Sequence, residues 1–442
     1  LGNLCWNYNL SSSLVAFMEE NKKKIYSWAF YDWANSAYST TVMAGFFPIF
    51  FEKFYSNPND VIQSTYQLGL ANSISSIFIA LVSPLLGAIA DKGSAKKKLL
   101  IIFAFLGSLM TAALWLVQKG DWQLAVFFYI IATIGFMAGN IFYDSLLPSV
   151  AGREKVDYVS ALGYSLGYLG GGLLFLINVL MYLHPDWFGI PDSSTAIRIS
   201  FVSVAIWWAI FTVPIIIFIP EPKIKKNVSL YDAINGGFKQ LKETFDNIRE
   251  MKIIGTFLMA FWMYEDGVAT IVRMAAKIAS SLGFAAGDII TAILMVQFIG
   301  FPAALGYNWF ANKIGTKNAV LVAILGYVVI TFLGYLMTDI IHFYILAALI
   351  GLFQGGIQSL SRSLFTRLVP PNKEAEFFGF YNMLGKFAAV VGPILVGWIT
   401  VITGNPRTGI LSIVVLFIIG GLLLSRVDFK EGERIALKFG EN

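Results

Sequence analysis

Seven ionisable residues stand inside long apolar stretches of this chain: Asp32, Asp144, Glu265, Asp266, Arg273, Arg362 and Lys386. A charge at bilayer depth costs about 3 kcal/mol or more, so such residues face a partner or water and mark ion and solute pathways. Uncharged polar residues accompany them: Asn35, Asn140, Tyr143, Gln354 and Gln358. A carboxylate so placed can trade a proton or hold an ammonium group, and Asp32 and Asp266 are the candidates for an α-ammonium. The fork of Arg362 can grip a carboxylate through two parallel hydrogen bonds, or pair with Asp144 instead. This is chemistry for holding and moving a small polar solute. Bond-breaking chemistry has no support. Gly163-Tyr-Ser165-Leu-Gly167 fits a hydrolase pattern that needs a strand-turn-helix, an acid and a histidine, yet it lies inside an apolar stretch with no histidine at that depth. A GxxxxGK[ST] phosphate loop is absent, so the chain does not drive transport with ATP. His184 and His342 fall in separate short loops, so neither a metal site nor a cofactor is expected.

The elements that position these residues follow from composition. The 442 residues are 57% hydrophobic and 13% charged, against roughly 25% charged in soluble domains. Apolar runs of about twenty residues, enough to cross a bilayer core, recur along the chain. We read an all-α polytopic membrane protein with twelve spans: 25–54, 63–90, 97–118, 122–148, 157–183, 196–219, 252–281, 286–311, 317–338, 342–368, 376–400 and 408–427. Residues 1–24 form a tail in which Met18 resembles a natural start. Residues 25–219 make one six-helix half and 252–427 the other. A linker, 220–251, carries Leu230, Ile234, Phe238 and Leu241 at helical spacing among lysines and Arg249, and is read as an amphipathic helix. Residues 428–442 form a second tail. Cys5 is the only cysteine, which excludes internal disulfides.

The halves repeat. Gly351 to Pro393 answers Gly135 to Gly172, with Gly351, Gly355 and Gly385 matching Gly135, Gly139 and Gly167. Six of the seven ionisable residues occupy spans 1, 4, 7 and 10, the first helix of each three-helix unit. In a fold of inverted 3+3 repeats those helices line the central cavity, and Lys386 on span 11 joins them. Glycines of span 5 (Gly163, Gly167, Gly170) and small residues of span 11 (Gly379, Gly385, Ala389, Gly392) are read as close-packing surfaces. Asp144 is expected to pair with Arg362 or Lys386 as a gate. Asp266 or Glu265 is the expected proton carrier, with Gly267 loosening the helix beside them. The alternative for Asp266 is a fixed pair with Arg273, two turns on. Tyr31, Trp33, Tyr38, Trp262 and Tyr264 would be the stacking surface if the solute were a sugar.

Of 32 lysines and arginines, Lys53, Lys119, Arg198, Lys277 and Arg407 fall on one side of the predicted membrane and three lie within spans. The rest share the other side with both tails and the linker, so that side is read as cytoplasmic. The net charge of +5 thus follows membrane topology and not nucleic acid. The expected partners are the lipid bilayer, a small-molecule solute and protons, with the chain acting as a monomer.

Gly87-Ala-Ile-Ala-Asp91-Lys92-Gly93-Ser-Ala-Lys96-Lys97 resembles the loop signature of the major facilitator superfamily. Its counterpart keeps Lys313, Gly315 and Lys317 but has Asn312 for the acid. In that superfamily the acid caps a neighbouring helix and the bases hold the halves together. Three further motifs resemble the Atg-type vacuolar amino-acid effluxer family within it: Trp28, Tyr31, Asp32, Trp33, Asn35 and Tyr38 in span 1; Tyr264, Glu265, Asp266 and Gly267 in span 7; and Gln354, Gln358, Ser361, Arg362 and Ser363 in span 10. The resemblance covers residues 25 to about 430. Glu265 departs from it, since a neutral residue is expected before the acid. It implies a secondary transporter working by alternating access, for amino acids or similar metabolites, with proton coupling. The short loops point to a bacterial plasma membrane. A sugar or drug transporter of the same fold is the alternative, and a non-transporting receptor or lipid-handling scaffold is the alternative of another class.

Overall fold

Within hydrocarbon a backbone amide finds no water, so each crossing must satisfy its own hydrogen bonds and becomes a helix. The computed structural model of the chain describes residues 2–222, 230–246, 251–388 and 390–441, and among these it contains helix and loop but no strand. Arg249 and Ala389 lie outside the described residues. The first half comprises α1 (Gly2–Ala37), α2 (Phe47–Phe50), α3 (Val61–Gly93), α4 (Lys96–Ala113), α5 (Trp122–Val150), α6 (Val156–Leu183) and α7 (Ser193–Phe218). Linker helix α8 (Leu230–Asp246) follows. The second half comprises α9 (Lys252–Ser281), α10 (Ala286–Ile314), α11 (Thr316–Leu336), α12 (Ile340–Leu368), α13 (Glu374–Phe387), α14 (Val391–Thr403), α15 (Pro406–Leu411) and α16 (Val414–Arg426), then α17 (Phe429–Glu441).

Among the described residues ten helical runs are long and apolar enough to cross a membrane. Two expected spans fall outside that set. The stretch bearing Asp32 is interrupted by wide π-type turns at Tyr38–Phe46 and Phe51–Tyr55, and α9 carries Glu265, Asp266 and Arg273 within its apolar run. Large apolar side chains point outward, with Ile62 85% and Val401 81% exposed, as a lipid-facing surface requires. Buried apolar side chains gather in two main clusters. One is drawn almost wholly from α1–α7 and the other from α9–α16. Aspartates start several helices by capping free N–H groups: Asp60 accepts from Gln63, and Asp192 from Thr195, each at 2.9 Å.

One local device occurs in both halves. At the start of α4, Lys97 Nζ donates to the carbonyls of Ile216 (2.9 Å) and Ile219 (2.7 Å) at the end of α7. At the start of α11, Lys317 Nζ donates to the carbonyls of Ser425 (2.5 Å) and Val427 (3.0 Å) at the end of α16. A cation there meets the negative end of the helix dipole.

The halves meet tightly on the face that carries the linker, called the linker face below. Asp91 Oδ1 accepts the Ala375 N–H at 3.1 Å and Oδ2 the Glu376 N–H at 2.9 Å, capping α13. Lys96 holds Asp91 at 2.9 Å and Glu374 at 2.6 Å. Gly87 allows this approach, since a Cβ there would lie 2.0 Å from the Ala375 carbonyl oxygen. Gly87→Ala should therefore part α3 from α13. A cysteine replacing Ser83, which is buried and donates to the Gly379 carbonyl at 3.0 Å, should then alkylate faster in a Cys5→Ser background. Unchanged labelling would mean that Gly87 does not hold this face shut.

Candidate functional site

Seven helices, α1, α5, α6, α9, α10, α12 and α13, enclose a cavity of about 330 Å³. That is the small end of the range for ligand pockets, roughly 300–1,000 Å³. The cavity has two levels. Toward the linker face lies Arg362, only 2% exposed. Its Nη1 donates to Asp144 at 3.0 Å and reaches Asp32 at 3.5 Å. Its Nε donates to Ser160 Oγ at 2.9 Å, and Nη2 to the Ser160 carbonyl at 3.0 Å. The guanidinium also lies 4.9 Å from the Trp28 ring centre and 4.3 Å from that of Tyr164. Tyr143 donates to Asp32 at 2.9 Å while stacking on Trp28, and Asn382 donates to Asp144 at 3.1 Å. Gly163 leaves room for this network, because a Cβ there would lie 2.7 Å from Tyr143 Oη and 2.9 Å from Asp32 Oδ2. The expected Asp144–Arg362 pair is thus present and ties α12 to α1, α5 and α6. It occupies the donors that a solute carboxylate would need.

The second level is different. Glu265 and Lys386 line the same cavity. They form no ion pair within 4.0 Å. Among the described residues Lys386 has neither a hydrogen-bond nor an ion-pair partner. Glu265 meets Gln358 only at 3.5 Å, and its Oε2 is buried without a partner. Gln354, Gln358, Gln297 and Tyr168 complete this level. Asn35 and Asn140 also line the cavity, bonded to each other at 2.6 Å. Buried polar atoms are ordinarily bonded, so the partnerless Oε2 of Glu265 is an exception, and among the described residues the acid and the base share one cavity without bonding each other.

Several expected residues lie elsewhere. Asp266 is fully buried and outside the cavity lining. It accepts the N–H groups of Val391 and Gly392, both at 2.9 Å, and the Thr270 hydroxyl at 3.2 Å. Neighbouring helical residues diverge by about 100°, so Glu265 takes the cavity and Asp266 the adjacent helix. Arg273 is exposed and forms no ion pair among the described residues, so the Asp266–Arg273 pair is absent. Gly267 does not break its helix; α9 is continuous, and a Cβ at Gly267 would lie 2.7 Å from the Phe417 ring. The discontinuity falls in span 11, between α13 and α14, where Asp266 caps the second piece. Lys92 is exposed, and Lys96 takes its expected place beside Asp91. Asn312 and Lys313 are exposed, Lys313 lying 3.7 Å from the Trp309 ring centre. Near this second-half loop the acid comes from the first half: Asp157, on α6, accepts from Thr316 at 2.7 Å, from Arg367 at 2.9 Å and from Ser363.

None of the five aromatics proposed for stacking lines the cavity. Tyr38 bonds Thr133, Tyr264 bonds Ser361 and Trp33 stacks on Trp207. Ser165 donates to the Phe301 carbonyl at 2.8 Å, a helix-packing bond between α6 and α10. The sequence reading missed Ser160, Tyr164, Tyr168, Gln297 and Asn382. These are neutral polar residues that carry no charge signal.

A polar cavity between two helix clusters, with charges paired at its base, suits a membrane carrier, and similarity places the chain among transporters of the major facilitator superfamily. The human organic anion transporter MFSD10 matches with a TM-score of 0.68 at 13% identity, over 91% of this chain and 99% of that one. The proton:xylose symporter XylE matches with a TM-score of 0.66 at 14% identity, over 93% of this chain and 96% of that one. Such likeness shows the fold alone. Within the superfamily the chain belongs to the Atg22-like vacuole effluxer family, whose model matches residues 62–437. It is 37% identical over 413 residues to the uncharacterized MFS-type transporter YxiO of Bacillus subtilis (strain 168), covering 93% of this chain and 96% of that protein. It is 25% identical over 456 residues to autophagy-related protein 22-1 of Penicillium rubens, covering 83% and 76% respectively. The protein is a multi-pass membrane transporter, and neither its family nor its fold neighbours are enzymes.

Proposed function

We propose that the protein carries small zwitterions, amino acids foremost, across a bacterial plasma membrane by alternating access. Both termini face the cytoplasm, and a proton travels through Glu265. The observation that carries this reading is the unpartnered Lys386 sharing its cavity with the half-satisfied Glu265. An α-carboxylate suits Lys386 and an α-ammonium suits Glu265. Arg362 and Asp32 bond each other and serve the gate. The family's description as effluxers supports solute transport, and the relative from Bacillus supports a bacterial membrane. The two closed contacts on the linker face, at Asp91 and at Arg362, correspond to the state open to the other side.

The test is thermal stabilisation of the purified protein by amino acids, sugars and nucleosides. A solute that binds only the folded state at a hundred times its Kd adds about 2.7 kcal/mol. Neutral amino acids should raise the melting temperature. Stabilisation by sugars alone would overturn the reading.

A further inference from the structure

Helix α8 turns the unexpected face toward the protein. At about 100° per residue, Ala233, Gly237, Gln240 and Thr244 share one side, and all four are buried. A Cβ at Gly237 would lie 2.7 Å from Ile89 of α3, and Gln240 donates to Glu376 of α13 at 2.5 Å. Small and polar residues thus make the protein contact, while the apolar strip beside them stays open. Tyr231 is 75% exposed, Phe238 55% and Ile234 37%. The exposed Lys239 and Lys242 border one edge of that strip, and Glu243 sits further round, away from it.

Location and charge identify what covers the strip. Helix α8 rests on the ends of two membrane-crossing helices, α3 and α13, so it lies at the height of the headgroups. The chain just before it reads Lys223, Ile224, Lys225, Lys226. A helix with an aromatic-aliphatic strip edged by lysines seats that strip at the acyl boundary while the ammonium groups reach lipid phosphates. Basic residues at such a surface favour anionic lipid. We infer that α8 is an interfacial helix whose open face docks onto the anionic headgroup layer of the membrane the protein spans.

The test uses the full chain with Cys5→Ser and Phe238→Cys, the new cysteine carrying an NBD fluorophore. A second probe at Tyr231→Cys covers the loss of the Phe238 ring itself. Each protein is placed in vesicles of phosphatidylcholine alone or mixed with phosphatidylglycerol. Both probes should shift to shorter wavelength and be quenched by lipid bearing a headgroup-level nitroxide, more strongly with phosphatidylglycerol. A probe at Glu243→Cys should stay unquenched. Lys239→Gln with Lys242→Gln should weaken the phosphatidylglycerol dependence. Probes at 231 and 238 that remain in water in both vesicles overturn the inference. So does a blue shift already present in detergent that grows with protein concentration, since a second copy of the chain would then cover the strip.

Discussion

Exchanging Arg362 for glutamine should cost roughly 3–5 kcal/mol of stability, the usual loss when one partner of a buried ion pair is removed. Asp144 and Asp32 would remain as buried carboxylates, one keeping Asn382 and the other Tyr143, with no cation between them. Heating detergent-solubilised protein and measuring the monodisperse fraction reads the effect. Adding Asp144→Asn and Asp32→Asn to Arg362→Gln should restore much of the loss, because the charges then vanish together. The restored protein should nonetheless transport poorly, since Arg362 joins α12 to α1, α5 and α6 when the linker face is shut. An Arg362→Gln protein as thermostable as the parent would mean that the network carries little electrostatic weight.

The adjacent acids of α9 should part company when each is neutralised. Glu265→Gln keeps a polar group in the cavity but can no longer carry a proton. It should lose accumulation driven by a pH gradient and retain solute exchange only at a raised half-saturation concentration, because the α-ammonium has lost its carboxylate. Asp266→Asn presents an amide to the N–H groups of Val391 and Gly392, where two acceptors stood. A buried donor left without its acceptor costs about 1–3 kcal/mol. That variant should melt earlier and slow both accumulation and exchange at every pH. Proteoliposomes with and without a gradient distinguish the two patterns. If Glu265→Gln accumulates solute with the parent's pH dependence, Glu265 is not the carrier.

The charges of the cavity were legible in the sequence because charge at hydrocarbon depth has few other uses. Asp32, Asp144 and Arg362 were found on that ground, and the structure brings them together. Rotation about the helix axis was less legible. Glu265 and Asp266 sit at one depth, and only the neighbouring helix decides which faces the cavity. The break in span 11 left a trace in Gly392-Pro393: a proline lacks an N–H and is tolerated in the first turn of a helix, here the start of α14. Gly267 drew attention because glycine loosens helices, yet its use is to admit Phe417. Ser160 and Asn382 were silent because a neutral polar residue in a crossing helix carries little cost, and Ser160 meets Arg362 across 202 residues of chain. The apolar stripe of α8 was visible at once; that its small face would make the protein contact was not. Ser94, just after Gly93, lies in the left-handed region at φ 47°, where glycine is normally favoured.

The proposed carrier mechanism requires that Lys386 and Glu265 bind the two ends of one solute. Counterflow of a labelled neutral amino acid into proteoliposomes loaded with the same unlabelled amino acid tests this most directly. The parent should show saturable counterflow that protein-free vesicles lack. Lys386→Gln, although folded and as monodisperse as the parent, should lose it, whereas Lys313→Gln at the exposed end of α10 should not. Full counterflow by Lys386→Gln, at the parent's half-saturation concentration, would contradict the account.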